Sequence, residues 1–221
     1  RRGAPRDDGM DVRRDVGHHG AKRGRSARRR RAEHAPGFVQ VRGRGGADRL
    51  DGGDGIDIAT YTDSDAGVTI DLAAGTGSGG DAAGDTLTGI EIVHGSRFAD
   101  NLQGRDVADT LRGFGGDDVL RGRGGADLLE GGDGIDTATY TDSATAVSID
   151  LATGTTSGGD AAGDALTGIE IIHGSQHGDS LQGGNVADTL RGFGGDDVLR
   201  GRGGADLLEG GDGIDTATYT D

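Results

Sequence analysis

The chain has 221 residues, 48 of them Gly, with 32% hydrophobic and 3% aromatic side chains and no Cys. Such a composition excludes an ordinary globular core, disulfides and thiolate metal sites, and no apolar run reaches the length of a membrane span. The net charge of −15 is divided unevenly: residues 1–42 carry 13 Lys and Arg against 5 Asp and Glu, and the remainder 10 against 33, so the body repels nucleic acid and attracts cations.

In chain order, residues 1–42 are expected to be a disordered, Arg-rich tail (Lys22, Arg23, Arg25 and Arg28 to Arg31) lying against the acidic body. A nucleic-acid element and a wrongly read frame are the alternatives. The tail has no interleaved aromatics and lacks the apolar stretch of a secretory signal, and it begins with Arg, from which a fragment is expected. Residues 43–60 hold two nonapeptides, GRGGADRLD and GGDGIDIAT. They have no clear partner two nonapeptides on, so Asp48 and Asp57 are left out of the ligand set. Residues 61–94 form a connector, predicted as strand VTIDL, a Gly/Asp loop and strand GIEIV. Residues 95–139 are five nonapeptides in register, 140–173 a second connector, and 174–221 a second block that stops in mid-unit.

Two periods are nested. GRGGADLLEGGDGIDTATYTD begins at Gly122 and again at Gly201, 79 residues on. Within the blocks the period is nine, on the template G-G-x-G-x-D-x-U-x with U large and apolar. Gly at positions one, two and four permits positive φ and a tight turn with carbonyls inward. The x-U-x tripeptide is a short strand with U facing a core. Two nonapeptides then make an 18-residue coil, and Asp residues 18 apart stack on one edge. Asp100, Asp118 and Asp136 share an edge, opposite Asp109 and Asp127. Asp179, Asp197 and Asp215 do the same opposite Asp188 and Asp206. Leu102, Leu120 and Ala138 are predicted in one sheet, Leu111 and Leu129 in the other. Carboxylates at the ~4.8 Å strand spacing repel by about 3.5 kcal/mol at an effective dielectric of 20. A hard divalent cation turns that repulsion into cross-linking, and carboxylate with carbonyl oxygen is calcium's preferred donor set.

These twelve nonapeptides resemble the haemolysin-type calcium-binding repeats of repeat-in-toxin (RTX) proteins. The resemblance implies an all-β, parallel β-roll, or β-solenoid, with each calcium ion between turns n and n+2, held by the sixth-position Asp and loop carbonyls. About six ions are expected. The best loops are GFGGDD (Gly113, Gly115, Gly116, Asp118; Gly192, Gly194, Gly195, Asp197), GRGGAD (Gly122, Gly124, Gly125, Asp127; Gly201, Gly203, Gly204, Asp206) and GGDGID (Gly131, Gly132, Gly134, Asp136; Gly210, Gly211, Gly213, Asp215). Asp100, Asp109, Asp179 and Asp188 complete the set. Phe98 and Val107 replace the fourth-position Gly beside Asp100 and Asp109, which is expected to weaken those two sites.

In the connectors, Tyr61, Tyr140 and Tyr219 stand where a first-position Gly is due. They are expected to end the ion-binding turns and cover the open end of the core. Glu91 and Glu170 fall in phase with the sixth positions. They are read as solvent-facing strand residues, with an extended edge as the alternative. Asp81, Asp85, Asp160 and Asp164 are read as plain Gly-Asp turns, and His94, His173 and His177 lack a ligand cluster. The resemblance implies a secreted, extracellular, calcium-responsive module exported by a type I secretion apparatus. The alternatives are a cell-surface or matrix adhesin contacting polysaccharide, or an accessory module of a secreted hydrolase or polysaccharide-modifying enzyme. No H-E-x-x-H or G-x-S-x-G motif is present, so no catalysis is expected of this chain.

Overall fold

A computed structural model describes residues 38–219. These residues form a parallel β-roll of very short strands. In chain order the strands are β1 Gln40–Val41, β2 Arg49–Asp51, β3 Ile58–Thr60, β4 Thr69–Asp71, β5 Thr76–Ser78, β6 Thr86–Thr88 and β7 Ile92–His94. Then follow β8 Asn101–Gln103, β9 Thr110–Gly115, β10 Val119–Arg121, β11 Leu128–Asp133, β12 Thr137–Thr139, β13 Ser148–Asp150 and β14 Thr155–Ser157. The last seven are β15 Ala165–Thr167, β16 Ile171–His173, β17 Ser180–Gln182, β18 Thr189–Gly194, β19 Val198–Arg200, β20 Leu207–Asp212 and β21 Thr216–Thr218. Strands of three residues suffice because the Gly-rich turns between them reverse the chain within six residues.

Successive nonapeptides alternate between sheets. One sheet runs β1-β3-β7-β9-β11-β15, the second β2-β6-β5-β4-β8-β10-β12-β16-β18-β20, and a third β14-β13-β17-β19-β21. Inside the blocks the register is parallel and 18 residues apart: Leu102 pairs with Leu120, Leu120 with Ala138, and Leu111 with Leu129. All five are fully buried, as are Ile172, Leu181 and Leu190. The eighth-position residues therefore form a continuous apolar column between the sheets.

The connectors do more than the sequence reading allowed. Each holds four strands where two were expected, because the Gly/Asp loop contains β5 and β6 (β14 and β15 in the second copy) and a one-turn 3-10 helix, Gly80–Ala82 or Gly159–Ala161. The first strand folds back as an antiparallel hairpin, Ile70 opposite Gly77 and Ile149 opposite Thr156, while also pairing in parallel with the block that follows. The stack is continuous through the connectors, with Ala59 against Val93 and Ala138 against Ile172. Tyr61 and Tyr140 lie inside it, 2% exposed, and Tyr219 is 85% exposed and covers nothing. Two of the three expected end caps, Tyr61 and Tyr140, are thus internal core residues.

Each 79-residue unit changes sheets an odd number of times, so equivalent strands swap sides. β2 lies in the second sheet, its counterpart β11 in the first, and β20 in the second again. At the N-terminal side, Gln40 and Val41 pair with Ile58 and Ala59, so the roll begins inside the segment assigned to the tail. Residues 1–37 of that tail lie outside the described residues.

Truncation of a central core leucine leaves a cavity that neighbouring coils cannot fill without breaking register. Leu129→Ala is expected to cost about 2–5 kcal/mol, whereas Leu207→Ala, at a position 48% exposed, is expected to stay within about 0.5 kcal/mol. Thermal denaturation in saturating calcium measures both.

Candidate metal centre

The sixth-position carboxylates form columns along the edges of the roll, held by backbone amides. The N–H of Asp100 donates to Asp118 Oδ1, that of Asp109 to Asp127 and that of Asp118 to Asp136, each at 2.8 Å. The second block repeats this from Asp179 to Asp197 at 2.7 Å, and from Asp188 to Asp206 and Asp197 to Asp215 at 3.0 Å. The connectors extend the columns. Asp48 N–H donates to Asp85 at 2.8 Å and Asp127 N–H to Asp164 at 2.9 Å. Asp57 N–H donates to Glu91 at 3.0 Å and Asp136 N–H to Glu170 at 2.9 Å.

Four residues missed as edge carboxylates therefore belong to the edges. Glu91 and Glu170 were in phase and so could have been found. Asp85 and Asp164 lie 37 residues beyond Asp48 and Asp127, one more than two coils, and only the fold absorbs the extra residue.

First-position glycines are required by space. Gly113, Gly122, Gly131, Gly192, Gly201 and Gly210 are outside the left-handed region, but a Cβ on any of them would collide with the carboxylate of the sixth-position Asp of the same turn. The conformational demand predicted for position one falls instead on positions two and four. Gly132 and Gly211 have φ of 120° and 108°, and Gly116, Gly125 and Gly134 lie between 97° and 148°. Phe114, Arg123, Phe193 and Arg202 occupy position two with φ of 65–77°, a costly conformation for a bulky residue. Gly115, Gly124, Gly194 and Gly203, at position three, are not left-handed.

With one oxygen on a backbone amide, the second carboxylate oxygen has several fates. In the turns GSRFAD and GSQHGD it is satisfied locally: Ser96 N–H donates to Asp100 Oδ2 and Ser175 N–H to Asp179 Oδ2, both at 2.5 Å, and each Ser hydroxyl donates to Oδ1 at 2.8 Å. Tyr hydroxyls satisfy the connector pair, Tyr61 to Asp85 at 3.1 Å and Tyr140 to Asp164 at 2.9 Å. Burial and the adjoining carboxylates push both phenols up, so they remain donors. Arg105 serves Asp109, with Nη2 2.6 Å from Oδ1 and its own N–H 2.6 Å from Oδ2. In Asp57, Asp118, Asp127, Asp136, Asp188 and Asp197 one buried oxygen has no partner.

An unpartnered buried carboxylate oxygen is costly unless a cation meets it. Burial, with Asp100 and Asp136 on either side, pushes Asp118 up to about 7 against the lowering effect of the Asp100 amide. Burial, Asp164 and Asp109 do the same to Asp127, also to about 7. Burial likewise raises Asp136, Asp188 and Asp197. Among the described residues no three His, Asp or Glu side chains converge. A cation here would therefore be held by one or two carboxylates with carbonyls of the glycine turns, an all-oxygen set that fits calcium. His94 and His173 stack edge-on against Phe114 and Phe193, centroids 5.3 Å apart, and burial lowers both imidazoles.

A parallel β-roll edged by columns of half-satisfied carboxylates defines a class: solenoids whose coils are cross-linked by hard cations. The family model of the RTX calcium-binding nonapeptide repeat matches the chain in four copies, over 36–59, 103–138, 173–208 and 182–217, so the chain carries repeats of that family. No curated protein matches it significantly. The copy at 36–59 includes 34–42 in part, HAPGFVQVR, a degenerate nonapeptide with Val39 in the sixth position and Val41 in the eighth.

Raised carboxylates set the pH dependence of the ion-free chain. Unfolded Asp titrates near 3.9, so folding opposes ionisation of Asp118 and Asp127. The resulting loss of stability is absent below about pH 4 and complete above about pH 7. In calcium-free buffer the β-signal in circular dichroism should grow as pH falls from about 7 to about 4. Over the same range the calcium midpoint should move to higher concentration as protons compete for the edge.

Proposed function

We propose that the chain is a secreted binding module, without catalysis of its own, that orders its roll on meeting extracellular calcium. The observation that carries this is the set of buried carboxylate oxygens without partners at Asp118, Asp127, Asp136 and Asp197. All four sit in turns that keep the fourth-position Gly. Asp206 and Asp215 complete the same loop types at the C-terminal coils. The site residues divide by chemistry: Asp100 and Asp179 are locked by their own Ser turns and hold the backbone, while these six are calcium ligands. Carbonyls of the Gly113, Gly122, Gly131, Gly192, Gly201 and Gly210 turns complete each shell.

Bound calcium supplies the positive charge that adjacent coils need in order to stack. The residues do the rest: backbone amides fix one oxygen of each carboxylate, and the absent Cβ at position one leaves the other facing the turn. Extracellular calcium modules bind at about 10⁻⁴–10⁻³ M, too weakly to fill at the low calcium inside a cell, which fits export through a type I secretion apparatus in the unfolded state. The acidic groups are aligned in columns by amides, an arrangement for ligation rather than for an acid and base facing one substrate.

A calcium titration followed by far-ultraviolet circular dichroism tests the reading. A cooperative coil-to-β transition in sub-millimolar to millimolar calcium, absent with magnesium, is expected. An identical β-signal with and without chelator sinks it. Asp127→Asn keeps the oxygen that accepts the Asp109 amide and removes one charge. It should raise the calcium midpoint at least about tenfold, the equivalent of ~1.4 kcal/mol.

A further inference from the structure

The two 79-residue units place the same pair of carboxylates on one edge and treat the space between them differently. Glu91 and Asp109 in the first unit correspond to Glu170 and Asp188 in the second. In both, the later strand is hydrogen-bonded to the Glu: Thr110 N–H donates to the Glu91 carbonyl at 2.9 Å, and Thr189 N–H to the Glu170 carbonyl at 2.8 Å. The two acidic side chains therefore stand on adjacent coils, one strand spacing apart.

In the first unit a guanidinium stands between them. Arg105 Nη2 lies 2.6 Å from Asp109 Oδ1 and 3.3 Å from Glu91 Oε1, and its Nε lies 3.3 and 3.4 Å from the two Asp109 oxygens. Residue 184 holds that position in the second unit and is Gly. The backbone is unchanged, for Gly184 N–H donates to Asp188 Oδ2 at 2.6 Å as Arg105 N–H does to Asp109 Oδ2. The charge is missing. Asp188 is 3% exposed and its Oδ1 has no partner.

We propose that the gap between Glu170 and Asp188, beside Gly184, is a divalent-cation site formed jointly by connector and repeat, and that Arg105 is a built-in cation filling the equivalent gap in the first unit. Two carboxylates on adjacent coils need a positive charge between them for the coils to close. A fixed guanidinium supplies it at any ion concentration, whereas the second unit takes it from solution as a hard cation with oxygen ligands, calcium in this roll. The first connector junction thus closes without an ion and the second is ion-dependent. The inference rests on the calcium-binding reading of the roll.

Exchange of the two residues tests it. A Cβ at position 184 meets only Asp188 Oδ2, at 3.7 Å, and Gly184 is not left-handed, so Gly184→Arg fits the turn. Bound calcium is counted by atomic emission after equilibrium dialysis at saturating calcium, with circular dichroism reporting the β-content of each variant. Gly184→Arg should bind one ion fewer than the unmodified chain, Arg105→Gly one more, and the double exchange the original number. An unchanged count in Gly184→Arg overturns the new site, and an unchanged count in Arg105→Gly overturns the built-in cation. If Gly184→Arg shows no β-signal, the Arg105→Gly count decides. An unmodified chain that binds no calcium overturns the functional reading itself, a result distinct from either.

Discussion

Stacking at strand spacing brings a carboxylate from every turn to within one coil of the next, and the rest of the roll is arranged around that repulsion. Backbone amides hold one oxygen of each carboxylate in line, as Asp118 N–H does for Asp136. The lack of a side chain at Gly113 and its equivalents lets the other oxygen sit over the turn. Amide dipoles fix position without neutralising charge, so alignment and repulsion grow together as coils are added. A cation is the component that lets both persist.

The chain answers the repulsion differently in different coils. Ser96 and Ser175 lock a carboxylate into its own turn, Tyr61 and Tyr140 place a phenol on it, and Arg105 brings a fixed positive charge. The turns of Asp57, Asp118, Asp127, Asp136, Asp188 and Asp197 leave one buried carboxylate oxygen without a partner. Coils whose carboxylates are satisfied within the chain are therefore interspersed with coils that carry a bare carboxylate oxygen. The connectors, which supply both tyrosines and both in-phase glutamates, are structural joints between calcium blocks rather than spacers outside the roll.

The nonapeptide blocks were legible because their period is exact in residues: strand, turn, sheet and edge all follow from a spacing of 9 and 18. Leu102, Leu111, Leu120 and Leu129 fall in the core where the eighth position puts them. The connectors were half legible. Their outer strands alternate visibly, but TGS and TLT, the strands β5 and β6, carry one apolar side chain between them, too weak a pattern to separate from a loop. Tyr61 read as a terminator because a ring cannot occupy a first-position turn. In the structure it leaves the edge and enters the core, with its hydroxyl turned back to Asp85.

By itself the sequence determined the local geometry and the ion. Gly spacing set the turns, an apolar residue at every ninth position set the core, and Asp every 18 residues set an acidic edge that demands a hard cation. Tertiary structure decided which of those carboxylates need one. An Asp reads the same in every nonapeptide, and its second oxygen is satisfied or left bare by groups that the fold brings to it. Ser96 lies four residues from its partner, but Tyr61 lies 24 from Asp85, and Glu91 lies 34 from Asp57. Such meetings depend on how a 34-residue connector folds between coils, and no period in the sequence records that path.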